Sequence, residues 1–446
     1  MNKRYSMLSI AAVAVIAATL FGSTYTQPQT TGSALSVSKT DADVMQKIHD
    51  MGGLELIMPQ AFAQVDCANM EDGRNVVEFN ITGESADLPI MGGGTYKAMT
   101  FSGQIPGPTL RVTQGDIVKM TLSIPEGEPT PHGNDMHASQ MSAGNFGKVL
   151  PGTSKTYCYV AQVPGTFKYH CSGVDVAAMD QHVLSGMYGM TIVDPLDGYK
   201  KLMVESTAVE GGDVVKDRIM YPADALEFQL QYNQLYLTED GSYDMNAMMQ
   251  HHHTLAVVNG MSFGYVPNET HNELINGAKG KNIFVAQPWN SAELGQYQSQ
   301  VLFVPTGVHT RWFVENQGNE PVYFHIVGEI IDRVTQANRV QAQGTETWLI
   351  GGSQGAIMDV VFDNPGVYVV VNHDYAQIFS GTASVIVAGN PFGLEVGDVD
   401  SLAEVLGNPS DAVPPSGMNT MEHPKQNLHG LYTDARADEL KSELGI

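Results

Sequence analysis

The chain has 446 residues, which is long enough for two domains, and a formal net charge of −25 at pH 7. This charge argues against nucleic acid and anionic membrane surfaces as partners. A hydrophobic content of 43% with 46 Gly and 22 Pro is typical of a globular β-rich protein and argues against a disordered one.

Residues 1–23 have the pattern of a signal peptide or an N-terminal anchor. Lys3 and Arg4 precede about fifteen mostly apolar residues, a run that is short for a membrane-spanning helix. No clean A-x-A cleavage site follows, so both a cleaved signal and a retained membrane anchor stay open. Either one predicts an extracytoplasmic protein, whether periplasmic, pseudoperiplasmic or secreted.

An extracytoplasmic location bears on the three cysteines. Outside the cytoplasm Cys67 and Cys158 can form a disulfide, which leaves Cys171 for a metal. The sequence leaves this pairing open, because it does not show that the two residues are close together.

The rest of the chain predicts two similar domains. Residues 24–70 are predicted to be a linker and a short helix, and 391–446 a mostly irregular tail. Short apolar runs with Gly and Pro turns fill 71–197, and "PGTFKYHC" of that segment returns as "PGVYVVVNH" within 198–390. We therefore expect an all-β fold of two tandem Greek-key sandwich or barrel domains.

The stretch "YHCSGVDVAAMDQHVLSGM" predicts a copper site. Cys171, His182 and Met187 supply three of the four ligands of an electron-transfer copper centre, which uses a cysteine, two histidines and a weak axial methionine. Alternate side chains of a strand face opposite sides, so His132 of "PHGNDMHASQ" is predicted to supply the fourth. Asn372 stands in the second domain where Cys171 stands in the first, so only the first domain can build this site.

The same alternation predicts a second metal site on the other face, with His137 and His170 as ligands and Asp135 beside them. Two histidines do not complete a site, so a third ligand is expected from another domain or subunit, and His325 in "PVYFHIVGEI" is the candidate. Because His170 is bonded directly to Cys171, a short covalent path would carry electrons between the two metals.

With these residues the chain resembles a copper-containing nitrite reductase over about residues 75–390. The motifs that carry the resemblance, in chain order, are "FSGQIPGPTLRVTQGD", "HGNDMH", "PGTFKYHC", "HVLSGM", "ETWLIGG" and "PGVYVVVNH". The resemblance implies two cupredoxin domains and reduction of nitrite to nitric oxide, with electrons passing from a type 1 to a type 2 copper through Cys171 and His170. It also implies a homotrimer and an electron donor such as a small copper protein or a cytochrome.

The resemblance assigns a role to each candidate residue. The type 1 copper ligands are His132, Cys171, His182 and Met187, and the type 2 ligands are His137, His170 and, from a neighbouring subunit, His325. The catalytic aspartate is Asp135.

The chain departs from the family pattern at two places. The loop between Cys171 and His182 is two residues longer than is usual in the family. The family's catalytic histidine falls on Leu255, and His253, two residues earlier and on the same predicted strand face, is the candidate for its role. The other interpretation is that His251, His252 and His253 are a polar loop end.

Other functions remain open. A laccase-like multicopper oxidase that reduces oxygen needs about eight histidines and a histidine on each side of the cysteine, whereas Ser172 follows Cys171 here. A simple electron carrier would not need His137, His170 and His325. An oxidase acting on hydroxylamine or nitric oxide would use the same two coppers, and the sequence does not separate it from a nitrite reductase.

Overall fold

Strands are the main secondary structure of the described residues in the computed structural model. It describes residues 67, 73–89, 95–141, 146–172, 179–265, 302–304 and 306–389. The predicted signal segment, linker, short helix and C-terminal tail lie outside the described residues. Within those ranges, no helix is long and apolar enough to cross a membrane.

The secondary structure confirms the predicted all-β fold. The strands are β1 (Val76–Pro89), β2 (Thr95–Phe101), β3 (Leu110–Thr113), β4 (Ile117–Ser123), β5 (Asp135–Met136), β6 (Ser154–Val160), β7 (Gly165–His170), β8 (Tyr188–Asp194), β9 (Leu202–Glu210), β10 (Asp213–Tyr221), β11 (Leu226–Leu235), β12 (Leu255–Val258), β13 (Leu302–Val304), β14 (His309–Asn316), β15 (Val322–Val327), β16 (Ile331–Gln336), β17 (Arg339–Thr345), β18 (Thr347–Ile350), β19 (Gly355–Val361), β20 (Gly366–Asn372) and β21 (Ser384–Ala388). The short helices are α1 (Met179–Leu184), α2 (Met245–Met249), α3 (Tyr375–Gln377), a 3₁₀ turn at His137–Ser139 and a π turn at Ile378–Thr382.

The first eight strands form two four-stranded sheets. Their orders are β2-β1-β4-β6 and β3-β8-β7-β5. Buried residues such as Leu110, Val118, Met120 and Met187 form one core cluster between them, and each fully buried aliphatic side chain contributes about 1.5–3 kcal/mol. Cys171 belongs to the same cluster, so the predicted copper ligand lies in the core and not at the surface.

Strands β11 to β21 form a second pair of sheets with the same plan. Their orders are β12-β11-β14-β19-β16-β17 and β13-β21-β20-β15-β18. Strand β1 runs parallel to β4 as β11 does to β14, and β3 runs parallel to β8 as β13 does to β21. The order of the first pair therefore recurs strand by strand, with β16, β17 and β18 added at sheet edges. This topology agrees with the internal duplication that the repeated motifs predict, while the exact domain limits stay predictions.

Buried ionic contacts join the two halves. Arg111 of β3 makes a bidentate contact with Asp194 of β8 and also binds Glu227 of β11, at N–O distances of 2.6 to 3.2 Å. Arg311 of β14 binds Glu227 from the other side at 3.3 Å. Such charged pairs fix the position of the two sandwiches relative to each other, because breaking a pair leaves an unpaired charge away from water.

The cysteine pairing left open by the sequence is settled by the structure. Cys67 and Cys158 form a disulfide across 91 residues, with Cα atoms 5.5 Å apart. Cys171 is not part of a disulfide and is buried. The thiol needed for a metal is therefore not consumed by a disulfide.

Candidate metal centres

Three predicted ligands of the first site converge at one buried point. Sγ of Cys171 lies 3.4 Å from Nδ1 of His182 and 3.9 Å from Nδ1 of His132, and these two nitrogens are 3.1 Å apart. None of the three residues is more than 3% exposed. One thiol and two imidazole nitrogens facing each other in an apolar core are a donor set that suits copper.

Backbone hydrogen bonds hold this arrangement in place. Strand β7 ends at His170, and N–H of Cys171 donates to the carbonyl of Met187 at 3.0 Å. N–H of Met187 in turn donates to the carbonyl of His182 at the end of α1, at 3.1 Å. The helix and its turn therefore return the chain to the cysteine, which explains how ligands eleven and sixteen positions after Cys171 meet it.

Met187, the predicted axial ligand, is fully buried beside the same point. Its Cε and the Cδ2 of His132 both lie next to the Cα of Gly83, where a Cβ would be 3.2 and 3.4 Å from them. A side chain at Gly83 would also meet Ile124 Cδ1 at 2.7 Å. Because glycine has no side chain, Met187 and His132 are able to occupy the space beside position 83.

Burial keeps the imidazoles of this site neutral. It lowers the pKa of His182 to about 4, with the neighbouring His132 acting in the same direction. Burial also lowers the pKa of His132, although Glu128 opposes this. Neutral imidazole is the form that binds a metal, so the site needs no proton loss from its histidines at neutral pH.

Glu128 is a residue of this site that the sequence analysis missed. Its Oε1 lies 3.2 Å from Nε2 of His132, and the backbone N–H and the hydroxyl of Ser85 donate to its two oxygens at 2.8 Å each. The signal was available, because Glu128 precedes His132 by four residues in "EGEPTPH", but nothing in the spacing shows that the loop folds back onto the ring.

The second predicted cluster also assembles. One oxygen or nitrogen from each of Asp135, His137 and His170 lies within 4.8 Å of the others. Nε2 of His137 is 3.2 Å from Nε2 of His170, and Nε2 of His170 is 3.8 Å from Oδ2 of Asp135. Pairing of β5 with β7 places Asp135 opposite His170, and His137 begins the 3₁₀ turn that follows β5, not a continued strand as the alternation argument assumed.

The two clusters are connected through the chain. Nδ1 of His170 donates to the carbonyl of Cys171 at 2.9 Å, which leaves Nε2 as the nitrogen that faces Asp135 and His137. Burial lowers the pKa of His170 to about 3 and that of His137 to about 4, and Lys168 acts in the same direction on both. Burial raises the pKa of Asp135, and Lys168 opposes it.

Lys168 is the second residue that the sequence analysis missed. It is 3% exposed, and its Nζ donates to the carbonyl of Gln317 at 2.6 Å. Burial lowers its pKa to about 8, while Glu315 and Asp135 act to raise it. A lysine in the apolar run "PGTFKYHC" was the available signal, since a buried lysine needs an acceptor.

His325 lies outside both clusters in the described part of the chain. Its Nδ1 donates to the carbonyl of Glu346 at 2.9 Å, and its ring centroid is 5.1 Å from that of His373. His373 is exposed and was not among the predicted site residues, although it ends the quoted motif "PGVYVVVNH". In the second sandwich His325 pairs with Val371 as Asp135 pairs with His170 in the first, so the duplication places His325 and Asp135 at equivalent positions.

His253 has partners of its own. Nδ1 lies 3.0 Å from Oε2 of Glu320 and Nε2 lies 2.9 Å from Oγ of Ser380. Strand β12 begins at Leu255, so His253 precedes the strand and does not share a strand face with Leu255 as the sequence suggested. Its catalytic role stays a prediction.

Comparisons with known proteins agree with this fold. Residues 84–198 match the family model described as multicopper oxidase. The copper-containing nitrite reductase of Rhizobium sullae is 29% identical over 337 residues, which cover 73% of this chain and 78% of that protein. The structure of a copper nitrite reductase from Nitrosomonas europaea has a TM-score of 0.56 and 28% identity, and the match covers 71% of this chain and 95% of that one. A multicopper oxidase structure with 20% identity and a TM-score of 0.52 supports the fold alone.

Two sandwiches of cupredoxin type with a buried Cys–His₂ cluster make the chain similar to the copper-containing oxidoreductases. Among these, the proteins it resembles in sequence and structure are copper-containing nitrite reductases. The predicted resemblance, fold class and copper cofactor are thereby confirmed.

Proposed function

We propose that this protein reduces nitrite to nitric oxide and water at two copper centres per chain. The observation that carries the proposal is the pair of ligand clusters built from adjacent residues, Cys171 in one and His170 in the other. An electron carrier would need only the first cluster. The second cluster, with a carboxylate beside two imidazoles, has the composition of a site that binds and protonates a small substrate.

The first centre is the type 1 copper site. His132, Cys171, His182 and Met187 would hold the copper, and a thiolate, two imidazoles and a thioether form a donor set that supports one-electron transfer. The peptide unit between His170 and Cys171 joins this site to the second one, so an electron delivered to the first has a short covalent path onward. The physiological donor is proposed to be a small copper protein or a cytochrome.

The second centre is completed by another copy of the chain. His137 and His170 are two ligands, and two histidines leave a metal under-coordinated. His325 and His373, whose rings are in contact, form a pair in the second sandwich that is able to supply the third ligand and one further imidazole at the same site. His325 is the ligand proposed from the sequence, and the exposure of His373 supports the contact of this pair with a neighbouring subunit. We propose a homotrimer on this basis.

Copper bound at this centre would supply Lewis acidity and the electron. The residues of the chain bind, orient and protonate the substrate. Conversion of nitrite to nitric oxide and water consumes one electron and two protons, and one N–O bond breaks. Asp135, whose pKa is raised by burial, holds a proton within reach of a nitrite oxygen and transfers it as that bond breaks. His253 is the proposed source of the other proton, and the His325–His373 pair is the alternative that the geometry offers.

The disulfide and the N-terminal sequence both bear on where the protein acts. An intact disulfide and the apolar N-terminal run support an extracytoplasmic site of action. A cleaved signal and a membrane anchor predict different N-termini in the mature protein, and N-terminal sequencing separates them.

The test is copper stoichiometry and electron paramagnetic resonance on the copper-loaded full chain, before and after addition of nitrite. We expect two coppers per chain, with nitrite changing the type 2 signal only. Cys171→Ala should abolish the visible thiolate-to-copper absorption while the type 2 signal remains. His325→Ala and His373→Ala, made separately, identify the third ligand as the residue whose loss removes type 2 copper.

Other outcomes would overturn the proposal. Four coppers per chain would indicate an oxygen-reducing oxidase, and one copper would indicate an electron carrier. Two coppers with no response to nitrite, together with turnover of hydroxylamine or nitric oxide, would assign a different small substrate to the same centres.

A further inference from the structure

A buried carboxylate contacts the first copper centre from outside its ligand set. Glu128 lies in the loop after β4 and is 8% exposed. It does not reach Cys171, and its contact with the centre is through the far side of the His132 ring, Oε1 to Nε2 at 3.2 Å. The opposite nitrogen of that ring, Nδ1, is the one that faces Cys171 and His182.

This contact defines the tautomer of His132. A carboxylate only accepts hydrogen bonds, so the proton of a neutral imidazole is held on Nε2, and Nδ1 keeps its lone pair for the metal. Carboxylates that bind a ligating histidine in this way orient the ring and make it a more basic ligand.

The carboxylate is itself held rigidly. Backbone N–H of Ser85 in β1 donates to Oε2, and the hydroxyls of Ser85 and Thr130 donate to Oε1 at 2.8 and 3.2 Å. These donors come from a strand of the sandwich and from the loop itself, so the position of Glu128 is set independently of the metal. Its orientation toward His132 is therefore a built feature of the site and not a chance contact.

We infer that Glu128 is a positioning residue of the first copper centre, which fixes the His132 ring and lowers the reduction potential of the copper. The potential falls because a buried negative charge near the metal stabilises Cu(II) relative to Cu(I). This inference rests on the proposed type 1 centre but not on nitrite as the substrate.

The test is the reduction potential and visible spectrum of the copper-loaded full chain carrying Glu128→Gln. This change keeps the size of the side chain and removes its charge. We expect an upward shift of about 59 mV or more, which corresponds to about tenfold in a one-electron equilibrium. Glu128→Asp, which keeps the charge, should stay closer to the parent protein than Glu128→Gln does.

A second variant should shift the reduction potential in the opposite direction. Ser85→Ala removes a donor to Oε1 but leaves the carboxylate in place. The carboxylate then accepts more strongly from His132, and the potential should fall. This variant keeps the test usable if Glu128→Gln does not fold.

Glu320→Gln is the matched control. Glu320 is also a buried carboxylate bonded to a histidine, His253, but it is not part of the copper cluster. Its removal should leave the type 1 potential unchanged.

Two results distinguish failure of this inference from failure of the proposed function. If Glu128→Gln lowers the melting temperature and leaves the potential unchanged, Glu128 has only a structural role and the inference is wrong. If Cys171→Ala retains the visible absorption of the parent, the copper centre itself is wrongly assigned, and the proposed function fails with it.

Discussion

Each of three histidines in the proposed sites has one ring nitrogen fixed by an acceptor. His132 donates through Nε2 to Glu128, His170 through Nδ1 to the carbonyl of Cys171, and His325 through Nδ1 to the carbonyl of Glu346. The nitrogen left for a metal is therefore Nδ1 in the first site and Nε2 in the second.

Asp135 gives the first prediction at this scale. Asp135→Asn should retain both coppers and lower nitrite turnover by about 100-fold or more, because an amide cannot transfer the proton. Steady-state rates and copper content measure the two effects. Asp240→Asn, which removes an exposed carboxylate paired with Lys97, is the control and should keep the parent rate. Parent turnover in Asp135→Asn would exclude Asp135 from the mechanism.

His253 and Glu320 give a prediction about stability and pH. Burial opposes the charged form of His253, but the hydrogen bond and charge of Glu320 outweigh it and raise the pKa of His253 above 6.5. Burial likewise opposes the charged form of Glu320, and the hydrogen bonds from His253 and Tyr236 lower its pKa below 4.5.

The sign of the effect follows from these directions. Stabilisation through His253 is complete below pH 6.5 and is lost as pH rises through its folded pKa, and stabilisation through Glu320 is lost only as pH falls below 4.5. Glu320→Gln should therefore lower the free energy of unfolding by about 1.5–3 kcal/mol at pH 6 and by less at pH 9. Urea denaturation at both pH values measures the difference.

Tyr236→Phe serves as the control for this experiment. The phenol donates to the same carboxylate at 2.6 Å without carrying a charge, so its removal should cost the same at pH 6 and pH 9. An equal cost of Glu320→Gln at the two pH values would show that His253 is not charged by this contact.

At the scale of the strands, Asp359 of β19 connects its two neighbours. It accepts from His309 and Arg311 of β14 at 2.8 and 3.2 Å and from Arg333 of β16 at 2.8 Å. Burial acts to raise its pKa, but the bond from His309 and the two guanidinium charges outweigh burial and lower it to about 2. The stabilisation from Asp359 is therefore present above about pH 3.8 and is lost as pH falls toward 2.

Asp359→Asn should destabilise the second sandwich strongly. It removes the counter-charge of the buried Arg333 guanidinium and leaves Arg311 paired with Glu227 alone, and breaking such a pair costs about 3–5 kcal/mol. Thermal or urea unfolding measures the loss. Glu205→Gln, at an exposed pair with Lys216 and Arg218, should change the unfolding free energy little, and an equal effect of the two variants would contradict this account.

The sequence predicted the parts of the site that are local in the chain. Cys171, His182 and Met187 lie between the end of β7 and the start of β8, so their spacing alone identified them. Lys168 and Gln317 are 149 residues apart, and their contact depends on how the two sandwiches pack. No local pattern records such a contact, which is why the buried lysine was missed.

The contact between His325 and His373 in the second sandwich was not predictable for the same reason. The motif that ends in Asn372 and His373 is predictable as a repeat, but the repeat assigns no role to His373, because Ser172 stands at the corresponding position of the first copy. Its contact with His325 arises because β20 pairs with β15. The all-β class and the duplication were predictable, since both depend on patterns that recur along the chain.

For the whole molecule, the shared second site predicts complementation between defective chains. His137→Ala removes a ligand from the first sandwich, and the double variant His325→Ala, His373→Ala removes the histidine pair from the second. Each protein alone should lack type 2 copper and turnover. Co-expressed in equal amounts, they should recover about a quarter of parent activity, because one site in four of a mixed cyclic oligomer meets two intact halves.

The measurement is nitrite turnover per total protein in the unfractionated mixture. In mixed trimers isolated with two affinity tags, one site in three meets two intact halves, so about a third of parent activity is expected. A site formed within a single chain predicts no recovery at all. Co-expression of the parent chain with His137→Ala controls for expression level and should give about half of parent activity.

Asn372 carries a consequence for how such a chain can change over evolutionary time. Its amide accepts from N–H of Tyr323 at 2.8 Å and donates to the carbonyl of Pro321 at 3.2 Å, and the next residue, His373, donates its N–H to the carbonyl of Tyr323 at 2.8 Å. Asn372, which stands where Cys171 stands in the first sandwich, thus helps to hold the segment that carries the histidine pair. Replacement of Asn372 by cysteine would remove both amide hydrogen bonds without supplying the histidines that a copper site also needs, so no single mutation at this position gives the second sandwich the copper site proposed for the first.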